Sequence, residues 1–440
     1  MQKRKNPITA EQNTDGSFSF KGRSLSPTGD KNEALAPYGK MVWNHGQKLL
    51  LLPTEEQAEA IRRIIGCARF VRNHYLDTRI RLFREEAAPL NGSAYKKEYL
   101  PKLKEEHPWL KDADKFALEA AIEHVDDAYR NFFNGKARFP RFVSRYRPSG
   151  NRYETKYTNG NIRLFTGGDG LAYVQLPKVG KVRCVMPKGM TPKGIFSNNG
   201  RILKAAVSKD GRDYLVSLSL EHVVDKAEPL HTVRPDRVIA MDMGLRCFCD
   251  YSADGKTFVR VENPKWILKH EKRLRRFQKA LSRKQYDTAA HKGSANWEKA
   301  RQKVAGEHRK IANQRKDFHH KLSRTVADSC DVFVCEDLNI RGMLKDRHLA
   351  KAVSSVGWYR FLTFVRYKLE RKGGVFLKVS RWFPSSKLCA CGYKNTDLKR
   401  GDRYWTCPKC HAVHDRDDNA VVNLRREGIR LLSEKGMTVA

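Results

Sequence analysis

The sequence has no long apolar run and comparatively few acidic residues, and both features narrow what the protein can be. No apolar run reaches the roughly 18 residues that a membrane-spanning helix requires, so no such helix is expected. Residues 1–40 lack the apolar core of a signal peptide, which predicts a cytoplasmic protein with no membrane partner. Residues 1–44 are polar, with scattered glycine, serine and proline, and we predict a disordered or weakly ordered extension there.

The deficit of acidic residues leaves a large positive charge. The chain has 86 lysines and arginines against 49 aspartates and glutamates, a formal net charge of +37. Such a chain attracts polyanions, and nucleic acid is the expected partner because each neutralised phosphate releases counterions. A ribosomal or histone-like protein would be equally basic, and a membrane surface is the weaker alternative because no amphipathic anchor is visible.

Cysteine is unevenly distributed. Of ten cysteines, six are scattered and four form a cluster near the C-terminus: Cys389, Cys391, Cys407 and Cys410. A disulfide framework is not expected in a long chain without a secretion signal, so the cluster favours a metal. The length of 440 residues predicts about three domains.

The first half of the chain changes from helical to strand-like patterns. An apolar strand at 48–53 is followed by a capping box, in which Thr54 and Gln57 begin a helix, and a second helix is predicted at 115–133. We therefore assign 54–134 to a helical block. Short strands separated by turns such as Asn199-Gly200 follow over 161–220, and they indicate a small β-barrel or sandwich, which the strand near residue 50 could join.

A strip at residues 135–147 alternates cations with aromatic residues. Guanidinium groups can bind phosphates and rings can stack on bases, which is typical of nucleic-acid binding. A basic loop that packs its rings on the core would show the same pattern. The candidate contacts in this strip are Lys136, Arg138, Phe139, Arg141, Phe142 and Arg145.

From residue 237 onward the pattern indicates an α/β layer on a mixed sheet. A buried strand at 238–242 opens a three-strand meander, and apolar residues seven apart predict an antiparallel helical hairpin at 265–326. The outer faces of the hairpin are basic, and Arg273 and Arg276 are candidate nucleic-acid contacts. Further strands and helices then alternate, with a last helix expected from residue 419.

Three acidic residues occupy positions where a carboxylate is costly. Asp242 and Glu336 each end an apolar run, and Asp417 precedes the last predicted helix. A divalent cation with oxygen ligands compensates such a charge, and two Mg²⁺ ions about 4 Å apart can activate water and stabilise a leaving oxygen. Salt bridges to the many cations could satisfy any single one of these acids. Together the three predict a magnesium site for phosphodiester hydrolysis.

The cysteine cluster has nearly the spacing of a zinc ribbon, in which two C-x-x-C knuckles donate four thiolates to one structural Zn²⁺. The second pair, Cys407 and Cys410, has this spacing, whereas the first pair is C-x-C, one residue short. His411 or His414 could therefore replace one sulfur, and free thiols in a loop are the alternative. A ribbon this small has almost no core, so we expect metal to fold it.

Several of these stretches together resemble one family. The sequences IAMDMGL at 239–245, VCEDLNIRGM at 334–343 and HDRDDNA at 414–420 resemble the three motifs of a RuvC-type nuclease. A cysteine ribbon between the second and third motifs resembles the arrangement of the TnpB family. FPSSK at 383–387, GCARFVRN at 66–73 and ARFPRF at 137–142 also fit that family, over a resemblance that runs from about residue 45 to the end.

The resemblance implies an RNA-guided, Mg²⁺-dependent DNA endonuclease with a split RNase H-like domain. Its acidic triad falls on Asp242, Glu336 and Asp417, with Asp415 and Asp418 as less favoured candidates. The partners implied are a guide RNA from the protein's own locus and double- and single-stranded target DNA, at the nucleoid of a prokaryotic cell. Sequence would be read by base pairing, and the protein would read a short flanking motif.

The domains implied by the resemblance follow the patterns above. Residues 45–53 and 135–232 would form the β-barrel wedge domain, 54–134 the helical recognition domain, 233–384 and 414–440 the nuclease domain, and 385–413 the zinc ribbon that binds target nucleic acid. A cleavage-inactive RNA-guided repressor, a guide-independent nuclease or transposase accessory protein, and a structural ribonucleoprotein component are the alternatives. The sequence leaves five properties open: the guide RNA, the flanking motif, the cut pattern, the type of locus and the choice between monomer and homodimer.

Overall fold

The structure, a computed structural model, describes residues 8–14, 18–21, 27–145, 148–196, 200–288, 292–399 and 401–440. They form two compact units, Met1–Lys226 and Ala227–Ala440. Parts of the predicted extension, Tyr146 and Arg147 of the basic strip, Asn199 of a predicted turn and residues 289–291 of the predicted hairpin lie outside the described residues. None of the described helices combines the length and the apolar content that crossing a membrane requires.

The first unit combines one large sheet with a helical block. Its strands are β1 (Thr9–Gln12), β2 (Phe18–Lys21), β3 (Lys40–Leu52), β4 (Arg152–Lys156), β5 (Arg163–Thr166), β6 (Ala172–Leu176), β7 (Gly180–Val185), β8 (Arg201–Asp210) and β9 (Asp213–Asp225). Its helices are α1 (Pro27–Leu35), α2 (Glu55–Glu86), α3 (Gly92–Ala94), α4 (Leu100–Glu106), α5 (Lys115–Phe133) and α6 (Pro192–Ile195). Single turns of 3₁₀ or π helix lie at Ala36–Tyr38, Tyr95–Tyr99, Pro108–Asp112 and Pro148–Gly150.

The large sheet of the first unit is antiparallel, with the strand order β4-β8-β9-β3-β7-β6-β5. The prediction that the strand near residue 50 joins this sheet is confirmed, and β3 lies at its centre. Leu49 and Leu51 of β3 are buried against the helical block, because alternate residues of a strand face the same side. Strands β4 and β8 were not predicted.

Helix α2 begins where the capping box predicted. The Thr54 hydroxyl accepts a hydrogen bond from the Gln57 amide at 3.3 Å, and the Gln57 side chain accepts one from the Thr54 amide at 3.1 Å. Helix α5 has the predicted bounds of 115 and 133. Both helices bury one apolar face in the core of the unit, which is what their periodicity indicated.

The predicted extension at 1–44 requires a correction, because its described residues include β1, β2, α1 and the first residues of β3. Leu35 at the end of α1 is fully buried. Lys31 donates to both carboxylate oxygens of Glu221 at 3.0 Å, and the Asn32 side chain accepts from the Val42 amide at 2.7 Å. These long-range contacts order the segment, and composition alone could not reveal them.

The second unit has a mixed sheet with helices on both faces. Its strands are β10 (Thr232–Val233), β11 (Val238–Met243), β12 (Cys247–Ser252), β13 (Val259–Glu262), β14 (Tyr286–Asp287), β15 (Lys292–Gly293), β16 (Val332–Glu336), β17 (Val375–Val379), β18 (Tyr404–Thr406), β19 (Val413–Asp415) and β20 (Thr438–Val439). Its helices are α7 (Trp266–Ser282), α8 (Ala295–Ser329), α9 (Ile340–Met343), α10 (Ala350–Val356), α11 (Trp358–Glu370) and α12 (Arg416–Glu434), with a 3₁₀ turn at Pro235–Arg237.

The central sheet of this unit has the strand order β13-β12-β11-β16-β17. Strands β11, β12 and β13 form an antiparallel meander, and β16 and β17 continue the sheet parallel to β11. The predicted mixed sheet is thereby confirmed. Ile239 and Met241 face a core that includes residues of α8 and α11, whereas Val238 and Ala240 face a core that includes residues of α12. Burial on both faces explains the continuous apolar run.

Helix α12 approaches the sheet closely at one glycine. A β-carbon built on Gly428 would lie 2.5 Å from a methyl carbon of Val334 on β16, so a larger residue would push the helix away. The same helix bears Asp417 in its first turn. Gly428 therefore helps to set the height of that turn above the sheet.

Helices α7 and α8 form the predicted hairpin. Contacts between them include a hydrogen bond of 2.6 Å from His270 to the Glu307 carboxylate and an ion pair of 3.3 Å from Arg273 to the same group. Ile311 is buried in this pair of helices and Phe318 is partly buried, as the seven-residue spacing predicted.

Candidate active site and metal centre

The parallel pair β11 and β16 brings two of the predicted acids together. Met241 pairs with Cys335 in the register, and each is followed by an acidic residue, Asp242 and Glu336. Since the carboxyl ends of parallel strands meet at one edge of a sheet, both carboxylates lie at that edge. Both side chains are half-buried, at the mouth of the apolar core.

The third predicted acid, Asp417, lies in the first turn of α12 and not before it, because the helix begins at Arg416. The Asp415 carboxylate caps this helix, accepting hydrogen bonds from the backbone amides of Asp417 at 2.9 Å and Asp418 at 3.4 Å. This role as a cap gives Asp415 a structural function, and the capped turn fixes the backbone of Asp417.

One cavity of about 580 Å³ is lined by all three predicted acids. Asp250 also lines it, together with the cations Arg246, Arg403 and Arg416. With Asp402, which also lines it, the cavity combines five carboxylates with guanidinium groups, which is the combination that a divalent cation and a phosphodiester require.

Asp250 was missed by the sequence analysis. It lies on β12 directly opposite Asp242 and is buried. The signal was present in the sequence, because Asp250 follows the buried residues Phe248 and Cys249 and so ends an apolar run as Asp242 does.

The acids influence one another strongly. Burial, together with the smaller effects of the charges of Asp417, Glu336 and Asp250, raises the pKa of Asp242 to about 7. Burial also raises the pKa of Glu336, to which Asp337 contributes a smaller effect. In both groups burial is the larger cause, and the opposing charge of Arg381 does not cancel the rise in the pKa of Glu336.

Two arginines balance part of the negative charge. Arg403 forms an ion pair with Asp417 and lies 3.3 Å from Asp415. Arg260 on β13 donates to Asp250 at 2.6 Å and lies 3.4 Å from Asp418. Neither arginine carried a signal in the sequence, because only the tertiary fold brings it to the acids.

The carboxylates are near one another but not tightly gathered. Within the part of the chain that the structure describes, the four cysteines are the one group of three or more candidate ligands whose donor atoms all lie within 4.8 Å of each other. Asp417 is held by Arg403 instead. The residues nevertheless fit Mg²⁺, because the donors are hard oxygens and the raised pKa of Asp242 reports a site that a cation would stabilise.

The four predicted zinc ligands do converge. The sulfur atoms of Cys389 and Cys410 are 3.5 Å apart, and those of Cys391 and Cys407 are 3.6 Å apart. The short first knuckle closes because Gly392, with a φ of 86°, turns the chain back so that the Cys389 amide donates to the Tyr393 carbonyl at 2.8 Å. Four cysteines in this arrangement have the composition of a zinc site.

The two histidines differ in their relation to the cluster. His414 Nε2 lies 3.2 Å from the Cys389 sulfur, and its ring packs on Trp405 with centroids 4.5 Å apart. His411 lies outside the group of converging donors. A complete set of four sulfurs removes the need for either histidine to replace one, and His414 is instead a neighbour of the cluster.

The candidate nucleic-acid contacts of the first unit are accessible. Lys136, Arg138, Arg141 and Arg145 are exposed, as are the rings of Phe139 and Phe142. Phe139 also packs edge-on against Tyr129 and Phe132, so the strip combines binding groups with packing on the helical block.

On the hairpin of the second unit, the two predicted contacts are partly engaged. Arg273 pairs with Glu307, and both Arg273 and Arg276 lie over the ring of Phe277. To bind a phosphate, these two arginines would have to leave their present partners or contact both at once.

A mixed sheet of this order, with a meander followed by two parallel strands and acids at its edge, is the RNase H-like fold of RuvC-type nucleases. Family models match the chain over residues 221–347 ("Probable transposase"), 358–424 ("Cas12f1-like, TNB domain") and 41–87 ("Helix-turn-helix domain"). The last match covers β3 and the single helix α2 here, and not two helices joined by a turn.

Relatives match over most of the chain. A "Putative RNA-guided DNA endonuclease" of Streptomyces pristinaespiralis is 34% identical over 386 residues, which cover 87% of this chain and 89% of the relative. A protein of Escherichia coli with the same description, InsQ, is 28% identical and covers 88% and 92% of the two chains. The chain belongs to this family, the TnpB proteins.

A solved structure shares the fold. The Cas12f1 chain in a complex with a single guide RNA and target DNA superposes with a TM-score of 0.57 at 12% identity. The match covers 88% of this chain and 99% of that one. Together with the family models, this likeness confirms the predicted fold, an RNase H-like (RuvC) core with a cysteine ribbon.

Proposed function

We propose that this protein is an RNA-guided DNA endonuclease that hydrolyses phosphodiesters of DNA paired to its guide RNA, next to a short flanking motif. The observation that carries the proposal is the convergence of Asp242, Glu336 and Asp417 on one cavity at the edge of an RNase H-like sheet. Relatives described as RNA-guided DNA endonucleases support the same function, and so does the net charge of +37.

The catalytic residues proposed are Asp242, Glu336 and Asp417, which would hold Mg²⁺, with two ions as the expected number. Bound there, Mg²⁺ supplies an activated water and neutralises the charge that develops on the phosphate. Asp250 adds negative charge beside Asp242 and strengthens cation binding. Arg403 forms an ion pair with Asp417 and lines the same cavity. With a cation bound to Asp417, the guanidinium of Arg403 would be free to contact a phosphate oxygen.

The cysteine group is proposed to hold one structural Zn²⁺ through Cys389, Cys391, Cys407 and Cys410. Four protein ligands leave no open position, so the ion stabilises the ribbon and takes no part in hydrolysis. A core of only a few buried residues, Leu398 and Trp405 among them, supports this role because so small a core cannot fold the ribbon alone.

We also propose roles for the other domains and a source for the guide RNA. The large sheet of the first unit would grip guide RNA as a wedge domain, and the helices of 54–134 would face the guide–target duplex. Residues 385–413 would contact target nucleic acid. The guide would come from the protein's own locus, and the protein would act in the cytoplasm of a prokaryotic cell.

The first experiment is to purify the protein, sequence the RNA bound to it, and test cutting of a matched DNA target with and without Mg²⁺. Asp242→Asn is expected to abolish cutting and to retain the bound RNA, because the fold of the first unit is untouched. Asp317→Asn, an exposed carboxylate on α8, is the matched control and should cut normally. Normal cutting by Asp242→Asn would contradict the proposed metal site.

The description "Probable transposase" for residues 221–347 favours a second candidate, a guide-independent nuclease or transposase accessory protein. The same assay separates the two. Cutting that requires a guide matched to the target supports the first proposal, and cutting of unmatched DNA by RNA-free protein supports the second.

A further inference from the structure

A second cavity, of about 670 Å³, lies in the first unit against α2. Two stretches that the nuclease chemistry does not use form much of its wall. Gly66, Cys67, Arg69, Phe70 and Asn73 come from the stretch 66–73, and Phe142 comes from the end of 137–142. Two separate sequence motifs therefore meet at one concave surface.

Residue 66 lines the cavity without a side chain and so leaves free space beside α2. A β-carbon built on Gly66 would have one neighbour within 4 Å, the end of the Arg69 guanidinium at 4.0 Å. Glycine in the middle of a 32-residue helix is unfavourable for the helix itself, so its value here is the space it leaves. A larger residue would extend into that space without displacing the core.

The walls are aromatic and the rim carries both charges. Phe70 packs edge-on against Trp109 with centroids 5.0 Å apart. Trp109 is 44% exposed and Phe142 is 52% exposed, although both are large apolar residues. Arg63 and Asp112 face each other across 3.7 Å at the rim. Exposed rings offer stacking surfaces, and a carboxylate accepts hydrogen bonds from the exocyclic amino group of a base.

The basic strip is fastened to this cavity. Asn73 exchanges hydrogen bonds of 2.9 Å with the backbone amide and carbonyl of Val143, and Arg72 donates to the Arg141 carbonyl at 3.1 Å. These bonds hold Phe142 over the cavity and leave the side chains of Lys136, Arg138 and Arg141 exposed. The strip thus offers a row of cations for phosphates that leads to an aromatic pocket.

We propose that this pocket binds one unstacked nucleobase of a single-stranded nucleic acid whose phosphates lie on the strip. The proposal rests on the proposed function only in taking a nucleic acid as the partner. Phe70, Trp109 and Phe142 supply the stacking surfaces, and Asp112 supplies an acceptor for a base amino group. The strand is either RNA or DNA, since both offer the same base and phosphate.

The test uses the full-length protein freed of bound RNA, and homopolymeric RNA and DNA oligonucleotides that each carry one 2-aminopurine. Gly66→Leu is expected to weaken binding by roughly 5- to 150-fold, the range for loss of one base stacked on an aromatic side chain. It is also expected to abolish the change in 2-aminopurine emission that stacking causes. Gly306→Leu on α8, where a β-carbon meets nothing within 4 Å, is the matched control.

Trp109→Ala provides an independent variant, since an exposed ring can be removed without opening the core. Loss of affinity and of the emission change in both variants supports the pocket, and comparison of RNA with DNA identifies the strand. Unchanged binding by both folded variants overturns the proposal, as does a change in oligomeric state without a change in oligonucleotide binding. Asp242→Asn should bind these oligonucleotides normally, so a failure of the proposed nuclease function would be seen separately.

Discussion

Asp242 on β11 and Asp250 on β12 lie directly opposite each other in the antiparallel register, and both carboxyl groups line the same cavity. Like charges in such a cross-strand pair destabilise a sheet. Arg260 offsets the charge of Asp250, whereas Asp242 has a pKa of about 7, raised by burial and by the neighbouring acids. The pair therefore concentrates negative charge where a divalent cation is expected.

Replacement of the second acid of this pair should weaken cation binding. We expect Asp250→Asn to raise the Mg²⁺ concentration needed for half-maximal cutting by roughly tenfold, since one charge of a partly buried group of four is removed. A magnesium titration of the cutting rate measures this change. The control Asp317→Asn should leave the Mg²⁺ concentration for half-maximal cutting unchanged. An unchanged concentration for Asp250→Asn would show that Asp250 does not act on the cation.

Replacement of Arg403 should have the opposite effect on cation affinity. Arg403 pairs with Asp417, so a cation must compete with the guanidinium for that carboxylate. Arg403→Gln is expected to tighten binding of Tb³⁺, a luminescent substitute, by roughly tenfold, because a positive charge is removed from the site. Arg430→Gln, which alters an exposed arginine on the same helix as Asp417, is the control. Weaker Tb³⁺ binding by Arg403→Gln would contradict competition between the two cations.

The cysteine group predicts a metal-dependent ribbon. A strong chelator, or Cys407→Ser, should release one zinc ion per chain and unfold residues 385–413 while the RNase H-like sheet stays folded. A zinc-sensitive dye measures the release, and hydrogen exchange measures the local unfolding. The control is Cys247→Ser, which alters a cysteine outside the group, and this variant protein should retain the zinc ion of the ribbon. A ribbon that stays protected from exchange after the metal is removed would exclude folding by zinc.

A buried histidine should make the second unit sensitive to acid. Burial lowers the pKa of His319 to about 4, and its Nε2 donates to the Val356 carbonyl at 2.9 Å. Between pH 6.5, the ordinary pKa, and pH 4 the unfolded chain binds the proton and the folded chain does not. Stability should therefore fall as the pH falls through this window, by up to roughly 3 kcal/mol.

Thermal unfolding of the full-length protein at pH 7 and pH 5 tests this sensitivity. His319→Gln, which cannot titrate, should lose less stability on acidification than the unchanged protein, even if it is less stable at pH 7. His348→Gln, an exposed histidine, is the control. An equal acid sensitivity of His319→Gln and the unchanged protein would assign the effect to other groups.

Much of the fold could be predicted because its signals are local. The capping box at Thr54 and Gln57 places the start of α2, and the apolar runs before Asp242 and Glu336 place two neighbouring strands of the nuclease sheet. The order of α1 could not be predicted, since it depends on contacts such as that of Lys31 with Glu221, 190 residues away. Local composition carries no record of such contacts.

The sequence by itself determined that this is a basic, RuvC-like protein with Asp242, Glu336 and Asp417 as its candidate acids and four cysteines as a candidate zinc site. The burial of a strand and the spacing of a motif depend on residues that are close in the sequence, so the sequence predicts them directly. Only the tertiary structure decided that Asp250 joins these acids and that Arg403 holds Asp417. It also decided that Phe142 lines the same cavity as Gly66. These relationships depend on which strands pair and which helices pack, because side chains far apart in the chain meet only when the fold is complete.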